Sequence, residues 1–293
     1  MFHEEEIVMN DLQKVEFELL KIYIDFCEKH NLRYFLVGGS ALGAVRHQGF
    51  IPWDDDVDVA MPREDYDKFI ELGKKEFVGE IFLQTYETDP EYPYNFAKLR
   101  NSKTTFVEWV YQFTNMNHGV WIDIFPLDGI SKKQGKINFA MKWRIYRIWP
   151  RLLLIGAKSV SRYPRKWWWI LDILLDIILL PFMLFNIGHF MNKRIDKIMR
   201  KKKYEDCYYV ANMQGAWFGR EIVKREYFGN GTKAMFEGME VMIPEKYDEF
   251  LTSIYGNYMK LPPIEKQVGK HNHAGYSLEI PYNEFKKNYK KGK

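Results

Sequence analysis

Three aspartates spaced two residues apart are the side chains of this sequence best suited to chemistry. Asp54, Asp56 and Asp58 lead into the apolar residues Val59 and Met61. Residues two apart in a β-strand point to the same face, so we expect Asp56 and Asp58 to share a face, joined by Asp54 if the strand starts early. Neighbouring carboxylates repel each other unless a divalent cation holds them. The spacing therefore predicts a metal site.

A glycine turn precedes these acids. Gly38-Gly39-Ser40 follows the apolar run 34–37 and precedes a short helix predicted over 41–47, with Ser40 as its N-cap. Glycines let backbone N–H groups approach an anion, and helix N-termini favour phosphate. A Mg²⁺ ion on the aspartates would bridge phosphate oxygens. Turn and acids together predict a site that handles phosphoryl groups.

Asp123 is a further acidic candidate. It lies between Ile122 and Ile124 in a predicted strand, where a carboxylate is costly unless it is paired or binds a metal. One interpretation is a structural salt bridge to an arginine. The other is that Asp123 completes the carboxylate cluster from an adjacent strand. Asp128, which follows Pro126, is interpreted as a turn residue.

The elements that must position these residues indicate an α+β domain. An amphipathic helix over 11–30, with Asn10 and Gln13 forming a capping box, is assigned a structural role. A second helix is predicted over 63–75. Strands are predicted over 81–86, 95–100, 104–109 and 120–125 before the middle segment and over 208–213 after it.

The composition changes between 132 and 203, where basic residues flank Trp167-Trp168-Trp169 and an apolar stretch. The longest uncharged part, Ile177–Asn192, has 16 residues, whereas a span needs about 20. Three interpretations stay open: a transmembrane helix, a buried helical hairpin, and a monotopic element with tryptophans at the bilayer interface and cations on anionic headgroups. We favour the last.

Composition sets the remaining expectations. Hydrophobic residues make up 46% of the 293 residues, enough for a packed core, and the net charge of +4 does not argue for a nucleic-acid partner. Cys27 and Cys207 lack metal-site spacing and are predicted to be buried thiols in a reducing cytoplasm. His271 and His273 are interpreted as solvated loop residues. The acidic N-terminus predicts no signal peptide.

The order of these motifs resembles a known fold. Gly-Gly-Ser, then Asp-x-Asp on the next strand, then an apolar-flanked Asp on a later one is similar to the nucleotidyltransferase fold of the polymerase-β type. The sequence of residues 35–47 and 49–58 resembles, more specifically, that of the LicD family. This family comprises the bacterial phosphocholine transferases, with fukutin-related proteins as distant relatives. Supporting stretches are 61–66, 96–100, 121–128, 236–241, 255–259 and 261–263.

The resemblance implies an α+β, polymerase-β-like core with a mixed sheet and a helical insertion at the membrane interface. The implied parts are a catalytic core over 1–130, a basic, Trp-rich insertion over 131–205, and a C-terminal part over 206–293 that completes the catalytic domain. The implied reaction is Mg²⁺-dependent transfer of a phospho-alcohol, with phosphocholine favoured, from a CDP-activated donor to a sugar hydroxyl, releasing CMP. The acceptor would be a teichoic-acid, lipopolysaccharide or related cell-surface glycan precursor.

Carried onto this sequence, the resemblance makes Asp56 and Asp58 ligands of Mg²⁺, with Mn²⁺ as an alternative and Asp54 as a third ligand or an orienting residue. Asp123 is similar to the third carboxylate, which binds a second metal or accepts the proton of the acceptor hydroxyl. The donor's phosphates would be cradled by Gly38, Gly39 and Ser40, and Arg46 and Lys98 are further candidates to bind phosphate.

The implied partners are a CDP-alcohol donor, a lipid-linked or polymeric glycan acceptor and the inner face of the cell membrane, where the protein would be peripherally bound in the cytoplasm. Two alternatives stay open. One is a true nucleotidyltransferase that moves NMP, and the other is a non-catalytic, membrane-associated scaffold.

Overall fold

The computed structural model describes residues 9–112, 114–130, 187–269 and 271–291. The tryptophan run 167–169 and most of the apolar stretch after it lie outside these ranges, so the interpretations placed on them stay predictions. Across the described ranges, the helices are all too short or too polar to cross a membrane.

The described residues form six α-helices and eleven strands. They are α1 (Asp11–Lys29), β1 (Phe35–Leu36), α2 (Gly38–Arg46), β2 (Asp58–Pro62), α3 (Arg63–Glu76), β3 (Ile81–Gln84), β4 (Ala97–Asn101), β5 (Thr105–Glu108), β6 (Val120–Ile130), α4 (Ile187–Met199), β7 (Tyr209–Asn212), β8 (Ile222–Lys224), β9 (Thr232–Phe236), β10 (Met239–Ile243), α5 (Tyr247–Tyr255), β11 (His273–Ser277) and α6 (Tyr282–Lys291).

The central sheet is mixed, as expected for an α+β fold. Five strands lie in the order β1-β2-β6-β4-β3, and β7 and β8 extend the sheet from the second half of β6. Strand β6 is parallel to β2 and antiparallel to β4 and β7. Two further pairs, β9–β10 and β5–β11, are antiparallel. Strand β6 therefore connects every part of the sheet that surrounds the site.

Helix α1 packs its apolar side on the core, as its periodicity predicts. The predicted capping box is confirmed: the Asn10 side chain accepts from the Gln13 N–H, and the Gln13 side chain accepts from the Asn10 N–H. The Tyr23 ring makes edge contacts with Tyr34 at 5.6 Å and with Phe69 of α3 at 5.3 Å between centroids. The two cysteines are buried free thiols, as predicted.

Strand β6 is longer than the sequence indicates, and the interpretation of Asp128 as a turn residue is wrong. Asp128 is buried in β6 and accepts two hydrogen bonds from Arg63, Nε to Oδ1 at 2.7 Å and Nη2 to Oδ2 at 2.5 Å. The strand passes through Pro126 because this residue lies between the segment paired with β4 and the segment paired with β7. A missing N–H interrupts neither of these ladders.

The start of α2 also differs from the sequence expectation. The helix begins at Gly38 with Val37 as its N-cap residue, so the assignment of Ser40 as N-cap is wrong. The Ser40 hydroxyl instead accepts a hydrogen bond from the Asp58 N–H at 2.8 Å. Its side chain therefore links α2 to β2.

Candidate active site

A cavity of about 330 Å³ lies where α2, β2, β4 and β6 meet. Its polar lining includes Asp54, Asp56, Asp58, Asp123 and Lys98. These are five of the residues singled out from the sequence, and they come from three separate segments of the chain, around 54–58, 98 and 123. The fold therefore brings the predicted acids together with one predicted cation.

The register of three neighbouring strands sets the centre of this site. Asp58 of β2 pairs with Asp123 of β6, and Asp123 pairs in turn with Lys98 of β4. Paired residues on adjacent strands carry their side chains side by side. Lys98 Nζ lies 3.0 Å from Asp123 Oδ1, an ion pair between two buried side chains.

Asp56 lies in the loop before β2, since that strand begins at Asp58 rather than earlier. The loop nevertheless brings Asp56 to the same place. One carboxylate oxygen from each of Asp56, Asp58 and Asp123 lies within 4.8 Å of the other two. The expected proximity is correct, although a loop and two strands produce it rather than alternation along one strand.

The electrostatics of this group fit a hard divalent cation. Burial, together with the negative charges of Asp56, Asp123 and Asp54, raises the pKa of Asp58 well above its usual value. A buried carboxyl surrounded by like charges is stabilised by a cation, and carboxylate oxygens are the ligands that Mg²⁺ and Mn²⁺ prefer. Asp56, Asp58 and Asp123 could hold such an ion.

The glycine turn lies directly against two of the aspartates. Gly38 has a φ of +56°, and a Cβ there would lie 2.7 Å from Asp58 Oδ2. A Cβ on Gly39 would overlap Asp54 Oδ2. Glycine is needed at both positions because the carboxylates approach the backbone closely.

The two cations proposed from the sequence occupy different surroundings. Lys98 is 3% exposed, and its Nζ lies 3.9 Å from the centroid of the Trp121 ring and 4.0 Å from Glu108 Oε2. Arg46 donates from Nη1 to the Tyr258 carbonyl at 2.7 Å and is not among the described residues that line the cavity. Lys98 is therefore the one of the two that faces the carboxylates.

His271 joins the site from a distant part of the chain, so its interpretation as a solvated loop residue is wrong. Its backbone N–H donates to Asp55 Oδ2 and its Nδ1 lies 3.0 Å from Asp55 Oδ1, while Nε2 lies 3.8 Å from Asp56 Oδ2. Burial opposes charging of the ring, but the hydrogen bond to Asp55 and the charge of Asp56 raise the His271 pKa to about 9. The ring is therefore a cation that orients the aspartate loop.

Helix α1 contributes two polar residues that sequence reasoning assigned only to structure. Gln13 Nε2 donates to the carbonyls of Asp54 at 3.0 Å and Ile51 at 3.4 Å, which holds the aspartate loop. Glu16 is 2% exposed, and burial plus the charges of Asp56 and Asp55 raise its pKa well above the usual value. Both are polar residues on the otherwise apolar side of α1. This pattern is visible in the sequence and could have marked them as residues with buried polar partners.

Comparison with known proteins places this chain beside a group of transferases. Residues 31–154 match the family described as LicD/FKTN/FKRP, nucleotidyltransferase domain. The chain is 28% identical over 280 residues to the lipopolysaccharide cholinephosphotransferase LicD of Haemophilus influenzae, an alignment that covers 93% of this chain and 99% of that protein.

A shorter similarity connects the chain to two mammalian enzymes. It is 46% identical over 48 residues to the ribitol 5-phosphate transferase FKRP of Mus musculus and of Homo sapiens. The match covers 16% of this chain and 10% of each relative. By their names, these relatives transfer different phospho-alcohols, phosphocholine in one case and ribitol 5-phosphate in the other.

Proposed function

We propose that this phosphotransferase, which carries a LicD-family domain over residues 31–154, transfers phosphocholine from a CDP-activated donor. The acceptor is a sugar hydroxyl of a cell-surface glycan precursor, and CMP is released. The choice of choline rests on the similarity that extends along nearly the whole chain. The ribitol 5-phosphate transferases match over a much shorter segment. Teichoic-acid and lipopolysaccharide precursors are the acceptors proposed.

The observation that carries this proposal is the convergence of Asp56, Asp58 and Asp123 beside the glycine turn. These carboxylates would hold Mg²⁺ or Mn²⁺, and the ion would supply a positive counter-charge to the donor's phosphate groups. Gly38, Gly39 and Ser40 are proposed to lie against the donor's phosphates, because the turn opens a helix N-terminus next to the acids.

The proposed transfer balances as a single displacement. The acceptor hydroxyl oxygen forms a bond to the phosphorus that carries choline, and the bond from that phosphorus to the oxygen of CMP breaks with its electron pair. Asp123 is proposed to take the hydroxyl proton. Lys98, 3.0 Å from Asp123, is proposed to hold that carboxylate in place and to offset charge on the leaving phosphate.

A donor panel tests the proposal. CDP-choline, CDP-ethanolamine, CDP-glycerol and CDP-ribitol are each incubated with the enzyme, Mg²⁺ and a lipid-linked glycan acceptor, and CMP is measured. We expect CMP release with CDP-choline in the wild-type protein and its loss in Asp58→Asn. Release of pyrophosphate from a nucleoside triphosphate would favour the alternative of NMP transfer. Absence of turnover with all four donors would contradict the proposal.

Peripheral binding to the cytoplasmic membrane surface is part of the same proposal, motivated by the basic, Trp-rich segment. The test is a chain without residues 142–186, which keeps α4 because Ile195 and Met199 of that helix pack in a hydrophobic cluster with Ile130. We expect this shortened chain to lose its partition onto anionic liposomes. Undiminished binding by the folded shortened chain would contradict the membrane role of the segment.

A further inference from the structure

Several aromatic residues line the cavity, and two pairs of them lie beside charged residues. In the first, the Tyr94 and Phe96 rings are 4.8 Å apart between centroids and lie beside Lys98. In the second, the Trp217 and Tyr255 rings meet edge to face at 5.3 Å. Aromatic faces attract cations, so either group could in principle receive a positively charged part of a ligand.

The first group already faces an ammonium group. Lys98 Nζ lies 6.0 Å from the Tyr94 centroid and 5.8 Å from the Phe96 centroid. A second cation placed against these rings would be repelled by Lys98, because both would lie in a partly buried site of low dielectric. This side of the cavity therefore suits anionic or neutral parts of a ligand.

The second group contains a carboxylate instead. Glu221 lines the cavity, is 8% exposed, and accepts a hydrogen bond from the Trp217 N–H to Oε1 at 2.6 Å. Its Oε2 lies so close to Gly215 that a Cβ there would overlap it. The carboxylate is thus fixed beside the Trp217 backbone.

Among the residues that the structure describes, the cation that approaches this second group is Arg220, which hydrogen-bonds to the backbone. The Arg220 guanidinium lies 5.9 Å from the Trp217 centroid and donates from Nη1 to the Ile254 carbonyl at 3.1 Å. Arg220 is not among the described residues that line the cavity. Among the described residues that line the cavity, the charged residue that contacts Trp217 is the acidic Glu221.

Tyr255 connects this aromatic group to the metal-site carboxylates. Burial raises the pKa of the Tyr255 hydroxyl, and the negative charges of Asp58, Asp54 and Glu221 raise it further. The phenol is therefore close enough to Asp58 and Glu221 to be affected by both negative charges. The aspartates, Tyr255 and Trp217 line the same cavity, so a ligand whose phosphate lies at the aspartates can also contact this aromatic group.

We propose that Trp217, Tyr255 and Glu221 bind the quaternary ammonium group of the donor and so select choline over uncharged polyols. This inference rests on the proposed function and assigns its donor specificity to three residues. A trimethylammonium group has no N–H to donate, so aromatic faces and a nearby carboxylate stabilise it without hydrogen bonds. Ribitol or glycerol would bring hydroxyl groups that these rings leave unpaired.

Two substitutions, each with a matched control, test the assignment. Trp217→Leu removes the ring and Glu221→Gln removes the charge. Trp109→Leu and Glu226→Gln are the controls, since Trp109 is 48% exposed, the Glu226 side chain is 49% exposed, and both lie outside the cavity lining. Steady-state kinetics are measured with CDP-choline and CDP-ribitol, and melting temperatures verify that each variant is folded.

We expect each test variant to raise the KM for CDP-choline about tenfold, which corresponds to ~1.4 kcal/mol. For Trp217→Leu this is the size of one cation–π contact. The KM for CDP-ribitol, where turnover is detectable, should change less than about twofold, and the controls should match the wild type. Trp217→Phe keeps an aromatic face and should recover most of the loss. An equal rise for both donors would overturn the inference, because the group would then bind the shared cytidine or phosphate.

Direct binding separates this inference from the proposed function. Calorimetric titration with phosphocholine, and with phosphoethanolamine as a comparison, requires no turnover. One outcome is that the wild type releases no CMP from CDP-choline but binds phosphocholine about tenfold more tightly than Trp217→Leu does. In that case the proposed reaction is wrong and the ammonium site is right. If Trp217→Leu binds phosphocholine as tightly as the wild type, the ammonium site is wrong whatever the reaction.

Discussion

Lys98 and Asp123 are paired across neighbouring antiparallel strands, and their charged atoms lie 3.0 Å apart inside the protein. The lysine is 3% exposed and contacts the Trp121 ring on another side. A buried lysine is costly unless a carboxylate compensates it. The pair therefore fixes one end of the carboxylate group and keeps a positive charge where a phosphate would arrive.

Removal of this lysine should impair both turnover and stability. We expect Lys98→Met to lower kcat at least about tenfold and to cost about 3–5 kcal/mol of unfolding free energy, because Asp123 is left buried without its cation. Activity is assayed well below the melting temperature and stability by urea unfolding. Lys103→Met is the control, since its side chain is 67% exposed. Unchanged kinetics in folded Lys98→Met would contradict a role in phosphate handling.

Gly39 should tolerate no side chain. A methyl group there overlaps Asp54 Oδ2, so Gly39→Ala must displace the Asp54 carboxylate, a proposed ligand or orienting group. We expect a loss of Mg²⁺ affinity of about 10–100-fold, the range seen when residues that support metal ligands are changed, measured by calorimetry. Gly79→Ala is the control because a Cβ there meets nothing within 4 Å. Equal Mg²⁺ affinity in both variants would show that the turn does not determine the position of the acids.

The Ser40 hydroxyl should matter through Asp58. Ser40→Ala leaves the Asp58 N–H without its acceptor at the start of β2, which costs about 1–3 kcal/mol. Because the same N–H belongs to a proposed metal ligand, kcat should fall as well. Ser253→Ala, at an exposed serine of α5, serves as the control in thermal unfolding and turnover assays. A Ser40→Ala protein with wild-type stability would argue against this link.

The metal-free protein should gain stability when Asp58 loses its charge. The pKa of Asp58 is raised in the folded state, so ionisation of this group destabilises the fold once the pH exceeds the unfolded pKa of about 3.9. We therefore expect Asp58→Asn to melt at a higher temperature than the wild type at pH 7 in EDTA. This gain should shrink as the pH is lowered toward 4.

Addition of Mg²⁺ should reverse that order. The ion should raise the melting temperature of the wild type and leave Asp58→Asn unchanged, while Asp58→Asn loses turnover. Asp25→Asn, at an exposed position of α1, should behave as the wild type under every condition. A stabilised Asp58→Asn protein with full activity would contradict the proposed role of Asp58 as a metal ligand in turnover.

The sequence was sufficient for the features whose partners lie close along the chain. The glycine turn and the aspartates after it are separated by fewer than about twenty residues, and alternation or loop geometry brings them together. The apolar neighbours of Asp123 also marked it as an unusual carboxylate. The sequence did not show whether Asp123 or Asp128 pairs with an arginine. The answer depends on whether β6 continues past Pro126, which places Asp128 inside the strand. The structure assigns Arg63 to Asp128 and Lys98 to Asp123.

Residues that join the site through long-range packing were beyond local patterns. His271 reaches Asp55 across 216 residues because β11 pairs with β5. Glu221 enters the cavity from the short segment before β8. Neither location follows from periodicity, because strand partners far apart in sequence are chosen by the whole fold. Gln13 and Glu16 differ, since polar residues on a buried helix face could have been recognised.

The pairing of β11 with β5 has a consequence for how the enzyme is made. The aspartate loop is contacted by Gln13 from α1 and by His271 from the segment before β11. During synthesis Gln13 is made early, whereas His271 is added only after more than 250 further residues. A nascent chain paused before residue 271 would expose its aspartates without their histidine. We therefore expect the aspartate loop to reach its final arrangement late in synthesis, after the strands of the central sheet have been made.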